Sequence, residues 1–110
     1  MIIVSITRAK DGSIHDFEVK GHAGYAKPGE DIVCAGVSAV TVGTVNSIES
    51  LTGVVMNSRM KNGFLSSSLP PIEDETVESK VQLLLESMLV MLNDIADSYG
   101  EYIQIKDSHK

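Results

Sequence analysis

The sequence is short of the residues on which several classes of protein depend. It has a single cysteine, no tryptophan, and nine basic residues against fifteen acidic ones. One cysteine cannot form an intramolecular disulfide and is too few for a thiolate zinc site, so its roles reduce to packing, redox sensing or nucleophilic chemistry. The net charge of -6 argues against direct binding of nucleic acid, which depends on cations that neutralise phosphates. A basic protein is the better partner.

Long apolar runs and targeting signals are also missing. No stretch of about 18 apolar residues indicates a membrane span. The start Met-Ile-Ile-Val-Ser lacks the basic region and cleavage site of a signal peptide. We therefore expect a cytoplasmic protein with no membrane partner. The 110 residues, 43% of them hydrophobic, suit one compact domain that covers residues 1–110.

Alternation of apolar and polar residues predicts five strands, grouped as two hairpins and a final strand. Asp11-Gly12 marks the turn of the first hairpin. Asn62-Gly63 marks the turn of the second, and Asn-Gly is one of the stronger hairpin signals. The predicted strands are residues 2–7, 14–20, 54–60, 64–69 and 102–106.

Two longer segments predict helices. Residues 31 to about 51 are apolar almost throughout, which predicts a buried helix that ends at Thr52-Gly53. Residues 76–98 place apolar side chains three or four positions apart, which predicts an amphipathic helix with Gly100 as its C-terminal residue. The order β-β-α-β-β-α-β predicts an α+β fold, in two layers with a mainly antiparallel sheet and two helices.

The most informative stretch is residues 21–40, where a loop rich in glycine and proline gives way to the first helix. If Asp31 is the N-cap, Cys34 falls at the third helical position, where unpaired N–H groups and the helix dipole favour a thiolate. His22 precedes Cys34 by twelve positions, across a loop that can fold back. The imidazole can therefore serve as base to the sulfur, and N–H groups of the helix can hold a developing oxyanion.

Each of these residues also has a plainer interpretation. A cysteine at the start of an apolar helix is usually packed in the core, and a histidine after a strand is usually on the surface. Asp31 either orients His22 as a third catalytic group or only caps the helix. Tyr25 and Ser38 either contact a substrate or are an ordinary loop aromatic and a helix serine. Gly21 permits a close approach of the backbone to a ligand.

Three motifs in this stretch resemble the ribosomal-processing cysteine protease family, known as Prp. They are Gly-His-Ala-Gly-Tyr-Ala at 21–26, Gly-x-Asp-Ile-Val-Cys-Ala at 29–35 and Val-Ser-Ala at 37–39. The length and the order of elements extend the resemblance to the whole chain. One departure is Gly36, where the family often has alanine.

The resemblance implies a single cysteine protease domain in which His22 is the general base and Cys34 the nucleophile. It implies an enzyme that removes the N-terminal extension of a large-subunit ribosomal protein, as ribosome assembly requires, by cutting after an aromatic residue in an apolar-aromatic motif. It further implies a cytoplasmic homodimer that needs no cofactor and no metal.

Two other functions fit the same residues. One is a non-enzymatic ribosome-associated binding module in which Cys34 merely packs, and the other is a thiol redox sensor. Eight of the fifteen acidic residues lie between Glu73 and Glu101, where Lys80 is the only basic one. This acidic helix either attracts a basic partner or is simply a solvated face.

Overall fold

The computed structural model describes residues 1–109, so Lys110, the last residue of the predicted 1–110 domain, lies outside it. Its elements follow the predicted order, which confirms the α+β class. They are β1 (Ile2–Arg8), β2 (Ile14–Lys20), α1 (Ile32–Thr52), β3 (Asn57–Lys61), β4 (Phe64–Ser68), α2 (Glu75–Ser98) and β5 (Ile103–His109).

The five strands form one sheet in the order β3-β4-β2-β1-β5. Neighbouring strands are antiparallel except β1 and β5, which run parallel. Each helix is a crossover between two strands of the same direction, α1 between β2 and β3, and α2 between β4 and β5. The prediction of a mainly antiparallel sheet with two helices is confirmed.

The core lies between one face of the sheet and α2. Alternate side chains of β1 point to this face, and Val4 and Ile6 are fully buried. The apolar stripe of α2 packs against the same core through Leu85 and Leu92. α2 does not extend over β3, where Met60 is 68% exposed. A strip of the sheet face beside α1 is therefore left open.

The prediction that α1 is a buried helix is wrong for most of its surface. Its buried stripe includes Val37 and Thr41, and the Thr41 hydroxyl donates a hydrogen bond to the Val37 carbonyl at 2.8 Å. Ile32 is 55% exposed and Leu51 is 71% exposed. α1 packs mainly against α2, so one stripe of buried side chains suffices to hold it.

The length and composition of α1 would also allow it to cross a membrane, contrary to the expectation that no segment reaches that limit. Core helices of soluble proteins meet the same two criteria. In this fold α1 joins β2 and β3, which belong to one sheet and are linked through β4. A span by α1 would place these strands on opposite sides of the bilayer and would break the sheet.

Several element boundaries differ from prediction, and β5, which covers Ile103–His109 instead of residues 102–106, pairs with β1 over its whole length. β3 begins at Asn57 instead of residue 54, because its last partner on β4 is Ser68 and the prolines that follow Leu69 cannot continue a ladder. α2 ends at Ser98 with Tyr99 as its cap, so the prediction of Gly100 is wrong.

The C-terminal end of α1 follows the prediction. Gly53 caps α1 in the left-handed conformation at φ 79°.

Candidate active site

The site is built on the N-terminus of α1. Asp31 is the N-cap in an extended conformation, and its Oδ1 accepts hydrogen bonds from the N–H groups of Val33 and Cys34, both at 3.0 Å. Cys34 is thus the third residue of the helix, as predicted. Because both N–H groups are bound to Asp31, they are not the free donors expected for an oxyanion.

The second carboxylate oxygen of Asp31 fixes the preceding loop. Oδ2 accepts hydrogen bonds from the N–H groups of Tyr25 at 2.9 Å and Ala26 at 3.2 Å. Donation from four backbone N–H groups, that of Cys34 first, lowers the pKa of Asp31 below its ordinary value, although burial acts in the opposite direction. Asp31 is therefore ionised at neutral pH, and it serves as cap and loop anchor.

The loop brings His22 and Cys34 to the same groove without joining them. Cys34 is half-buried, and its Sγ accepts a hydrogen bond from the N–H of Ala23 at 3.2 Å. His22 is exposed and follows the end of β2. Within residues 1–109, no hydrogen bond joins His22 to Cys34 or to Asp31. A catalytic role for Asp31 stays a prediction.

An open groove of about 770 Å³ separates α1 from the β3–β4 hairpin. The predicted site residues that line it are Gly21, His22, Asp31, Cys34 and Ser38. Ser38 is exposed one turn after Cys34, so the alternative of a buried helix serine is wrong. Apolar side chains cover much of the remaining lining, among them Val19, Val37, Val42, Met60 and Leu65.

Tyr25 takes a different position from that of a substrate contact. Its ring makes edge-to-face contacts with Tyr99 at 5.8 Å and with Tyr102 at 5.2 Å between ring centroids. It is absent from the residues that line the groove within the described chain. The aromatic cluster therefore ties the loop to the connection between α2 and β5.

A side chain at Gly21 or at Gly63 would meet neighbouring atoms at short distance. A Cβ at Gly21, which has φ 91°, would lie 2.5 Å from the carbonyl oxygen of Met1. A Cβ at Gly63 would lie 2.7 Å from Nε2 of His22. Sequence reasoning identified Gly63 only as a turn residue, because nothing local shows that the turn lies beside His22.

Comparison with known proteins identifies the family. The sequence profile described as cysteine protease Prp matches residues 1–104. The chain belongs to the Prp family of cysteine proteases. The ribosomal processing cysteine protease Prp of Bacillus subtilis (strain 168) is 36% identical over 107 residues, which cover 96% of each protein. That of Staphylococcus aureus (strain NCTC 8325 / PS 47) is 36% identical over 105 residues, with 96% of this chain and 97% of the relative covered.

Solved Prp structures share the fold. The S. aureus Prp with a covalently linked product peptide has a TM-score of 0.89 at 34% identity, covering 98% of this chain and 100% of the other. The same protease with a substrate peptide has a TM-score of 0.83 at 34% identity and the same coverage. The resemblance inferred from residues 21–40 is confirmed at the level of the family.

The departure from the Prp pattern at Gly36 is accommodated in α1. A Cβ at this position would meet only Cδ1 of Ile95, at 3.8 Å, which is ordinary van der Waals contact. Glycine is therefore not required here by space, and alanine would fit the same helix.

Proposed function

We propose that this protein is a cytoplasmic cysteine endopeptidase with Cys34 as nucleophile and His22 as general acid and base. The observation that carries the proposal is the placement of Cys34 at the start of a capped helix, in the same groove as His22. The N–H of Ala23 donates to Sγ, and such a donor stabilises a thiolate.

The reaction proceeds in two steps. The Cys34 thiolate attacks the carbonyl carbon, a C–S bond forms, the C–N bond breaks, and protonated His22 gives its proton to the leaving amine. Water then attacks the thioester while His22 takes one of its protons, and the C–S bond breaks. The products are a free carboxyl group and the regenerated thiolate.

The groove must first bring the two side chains together. His22 is exposed, so its imidazole is free to turn about its own side-chain bonds when a peptide enters. Hydrogen bonds between catalytic groups often tighten only in the complex with substrate. The loop over residues 24–30 carries Gly24 and Gly29, both at positive φ, and such glycines lower the cost of rearrangement as it opens.

We further propose that the substrate is the N-terminal extension of a large-subunit ribosomal protein, cut after an aromatic residue in an apolar-aromatic motif. The apolar lining of the groove supports this specificity. Val19 and Leu65 pair across β2 and β4, and Leu65 pairs with Met60 of β3, so the three side chains share one face. A row of this kind suits apolar and aromatic side chains.

The test is cleavage of a peptide that carries the extension motif. Cys34→Ala and His22→Ala should each abolish cleavage, and Cys34→Ser should come close to doing so because a hydroxyl is a weaker nucleophile. His15→Ala is the matched control, since His15 is exposed on β2 and does not line the groove. Circular dichroism checks that each variant folds. Full activity of Cys34→Ala or His22→Ala would exclude the proposal.

Alkylation by iodoacetamide separates the protease from the non-enzymatic alternative. A thiolate that is accessible from the groove should react quickly at pH 7, whereas a thiol packed in the core should react slowly. Cys34 is half-buried and lines the groove, which favours fast reaction. Slow alkylation together with uncut peptide would instead support a binding module.

We also propose that the protein is a homodimer that uses apolar surface left uncovered by its own fold. Leu83 and Val90 lie on one side of α2, seven residues apart, and are 71% and 61% exposed. Exposed apolar patches of this kind are common at protein interfaces. Sedimentation equilibrium of the unmodified protein measures its mass, and a monomer at micromolar concentration would contradict the proposal.

A further inference from the structure

The turn between β3 and β4 lies against the imidazole of His22. We propose that Gly63 is a positioning residue because its lack of a side chain leaves the space that this ring occupies at the edge of the groove, an inference that rests on the proposed role of His22. The contact spans forty-one positions of the chain and is produced entirely by the sheet.

The register of the sheet brings the two segments together. Lys20, the last residue of β2, is paired with Phe64, the first residue of β4. The chain that leaves β2 therefore passes beside the turn, and the N–H of Gly21 donates a hydrogen bond to the Gly63 carbonyl at 2.9 Å. His22 is the next residue, so its backbone is fixed relative to the turn.

The ring itself occupies the space where a side chain would be. A Cβ built on Gly63 would lie 2.7 Å from Nε2 of His22, 3.2 Å from Cε1 and 3.3 Å from Cδ2. These atoms are one apex of the imidazole and its two bonded neighbours, so the ring presents its Nε2 apex to the turn. Nδ1 lies on the side of the ring away from Gly63.

The residues before and after His22 in the chain each donate a backbone hydrogen bond, one to the turn and one to the nucleophile. The N–H of Gly21 binds Gly63, and the N–H of Ala23 binds Sγ of Cys34 at 3.2 Å. A displacement of the ring by the turn therefore changes its position relative to the sulfur. A misplacement of about 1 Å in a catalytic group costs on the order of 100-fold in rate.

A matched control separates this contact from backbone strain. Gly63 has φ 72°, and Gly12, in the turn between β1 and β2, has φ 89° with nothing within 4 Å of a built Cβ. Asparagine tolerates the left-handed region better than other residues. Gly63→Asn and Gly12→Asn therefore make the same backbone change, but only the first meets His22.

The experiment compares the two variants in peptide cleavage and in alkylation of Cys34. We expect Gly63→Asn to lower kcat/KM about 100-fold, while Gly12→Asn stays close to the parent. The pH profile of iodoacetamide alkylation in Gly63→Asn should approach that of His22→Ala, and Gly12→Asn should keep the parent profile. Equal cleavage and equal profiles in the two asparagine variants would overturn the proposal.

A measurement on the unsubstituted protein covers the case in which Gly63→Asn fails to fold. Nuclear Overhauser contacts should join the Hα protons of Gly63 to Hδ2 and Hε1 of His22, and their absence would overturn the proposal.

The proposed catalysis and the proposed positioning role can be excluded separately. An active His22→Ala excludes the proposed catalysis, whereas an inactive His22→Ala beside a fully active Gly63→Asn excludes only the positioning role.

Discussion

Asp31 shows how much of the site depends on one side chain. Its two oxygens accept four backbone hydrogen bonds, two from the first turn of α1 and two from the loop over residues 24–30. The same carboxylate thus places Cys34 at the helix start and fixes one wall of the groove. Buried carboxylates need such donors, because an ionised group without them is costly to bury.

The helix-capping role of one Asp31 oxygen can be tested separately from the loop contacts of the other. Asparagine caps a helix about as well as aspartate, but its amide nitrogen cannot accept a hydrogen bond from Tyr25 or Ala26. We expect Asp31→Asn to lower Tm more than Asp74→Asn, because Asp74 caps α2 through one oxygen only. Thermal unfolding at pH 7 measures both.

The loss of Tm caused by Asp31→Asn should depend on pH. Since folding lowers the pKa of Asp31 below its ordinary value of 3.8, its ionised form stabilises the fold above that pH, and this contribution is lost as the pH falls through the folded-state pKa. The difference in Tm between the parent and Asp31→Asn should therefore shrink below about pH 4. A difference that is constant from pH 7 to pH 3 would exclude this role.

At the scale of elements, α1 combines a fixed start with a loosely determined middle. Its start and end are set by Asp31 and Gly53, but its interior contains Gly36 and Gly43. Neither has positive φ, and glycine inside a helix loses more backbone entropy on folding than alanine. Substitutions in the interior of α1 can therefore increase the free energy of unfolding.

Alanine at either glycine should stabilise the protein. A Cβ at Gly36 would meet only Ile95, at 3.8 Å, and a Cβ at Gly43 would meet nothing within 4 Å. We expect Gly36→Ala and Gly43→Ala each to raise the free energy of unfolding by about 0.5–1 kcal/mol, measured by urea denaturation. Peptide cleavage should remain unchanged.

Gly53→Ala provides the opposite case. Its φ of 79° in the C-cap of α1 is unfavourable for alanine, although space is free around it. It should therefore destabilise the protein. A loss of stability in Gly36→Ala comparable to that in Gly53→Ala would show that the α1 interior is under constraint.

At the scale of the whole molecule, the acidic helix has two separate charged ends instead of one face. Glu86, in its middle, forms a two-pronged ion pair with Arg8 of β1. The first charged group is Glu73, Asp74, Glu75 and Glu78. The second is Asp94, Asp97 and Glu101, on the end of α2 where Ile95, Tyr99 and Tyr102 approach α1 and its loop.

The second group lies at the end of α2 nearer the groove, so we expect it, and not the first, to steer a basic substrate. α2 has 24 residues, so its ends are about 36 Å apart, and exposed charges are screened beyond about 8 Å at physiological ionic strength. Neutralising Asp94, Asp97 and Glu101 as amides should lower kcat/KM for an intact basic ribosomal protein several-fold, and should affect its short cleavage peptide less.

The control for this prediction neutralises Glu73, Glu75 and Glu78, which removes the same charge at the far end. Cleavage of both substrates should then stay near that of the parent. The measurement is the ratio of kcat/KM for the two substrates over a salt series. Equal ratios in the parent and both variants would show that the acidic residues form only a solvated surface.

The sequence by itself determined the features that depend on neighbours along the chain. Helix and strand periods follow from the directions of successive Cβ atoms along the backbone. The cap at Asp31, the place of Cys34 three residues later and the left-handed Gly53 follow from hydrogen bonds within one turn. The motifs of residues 21–40 were enough to indicate the family, because they form one continuous segment.

Tertiary structure alone decided the features that depend on which elements become neighbours. β3 starts late because β4 ends at Ser68, and α1 stays largely exposed because its main packing partner is α2 alone. Tyr25 contacts Tyr99 and Tyr102 rather than the groove. His22 meets Gly63 because the sheet pairs Lys20 with Phe64, and no local pattern encodes a contact made by strand order.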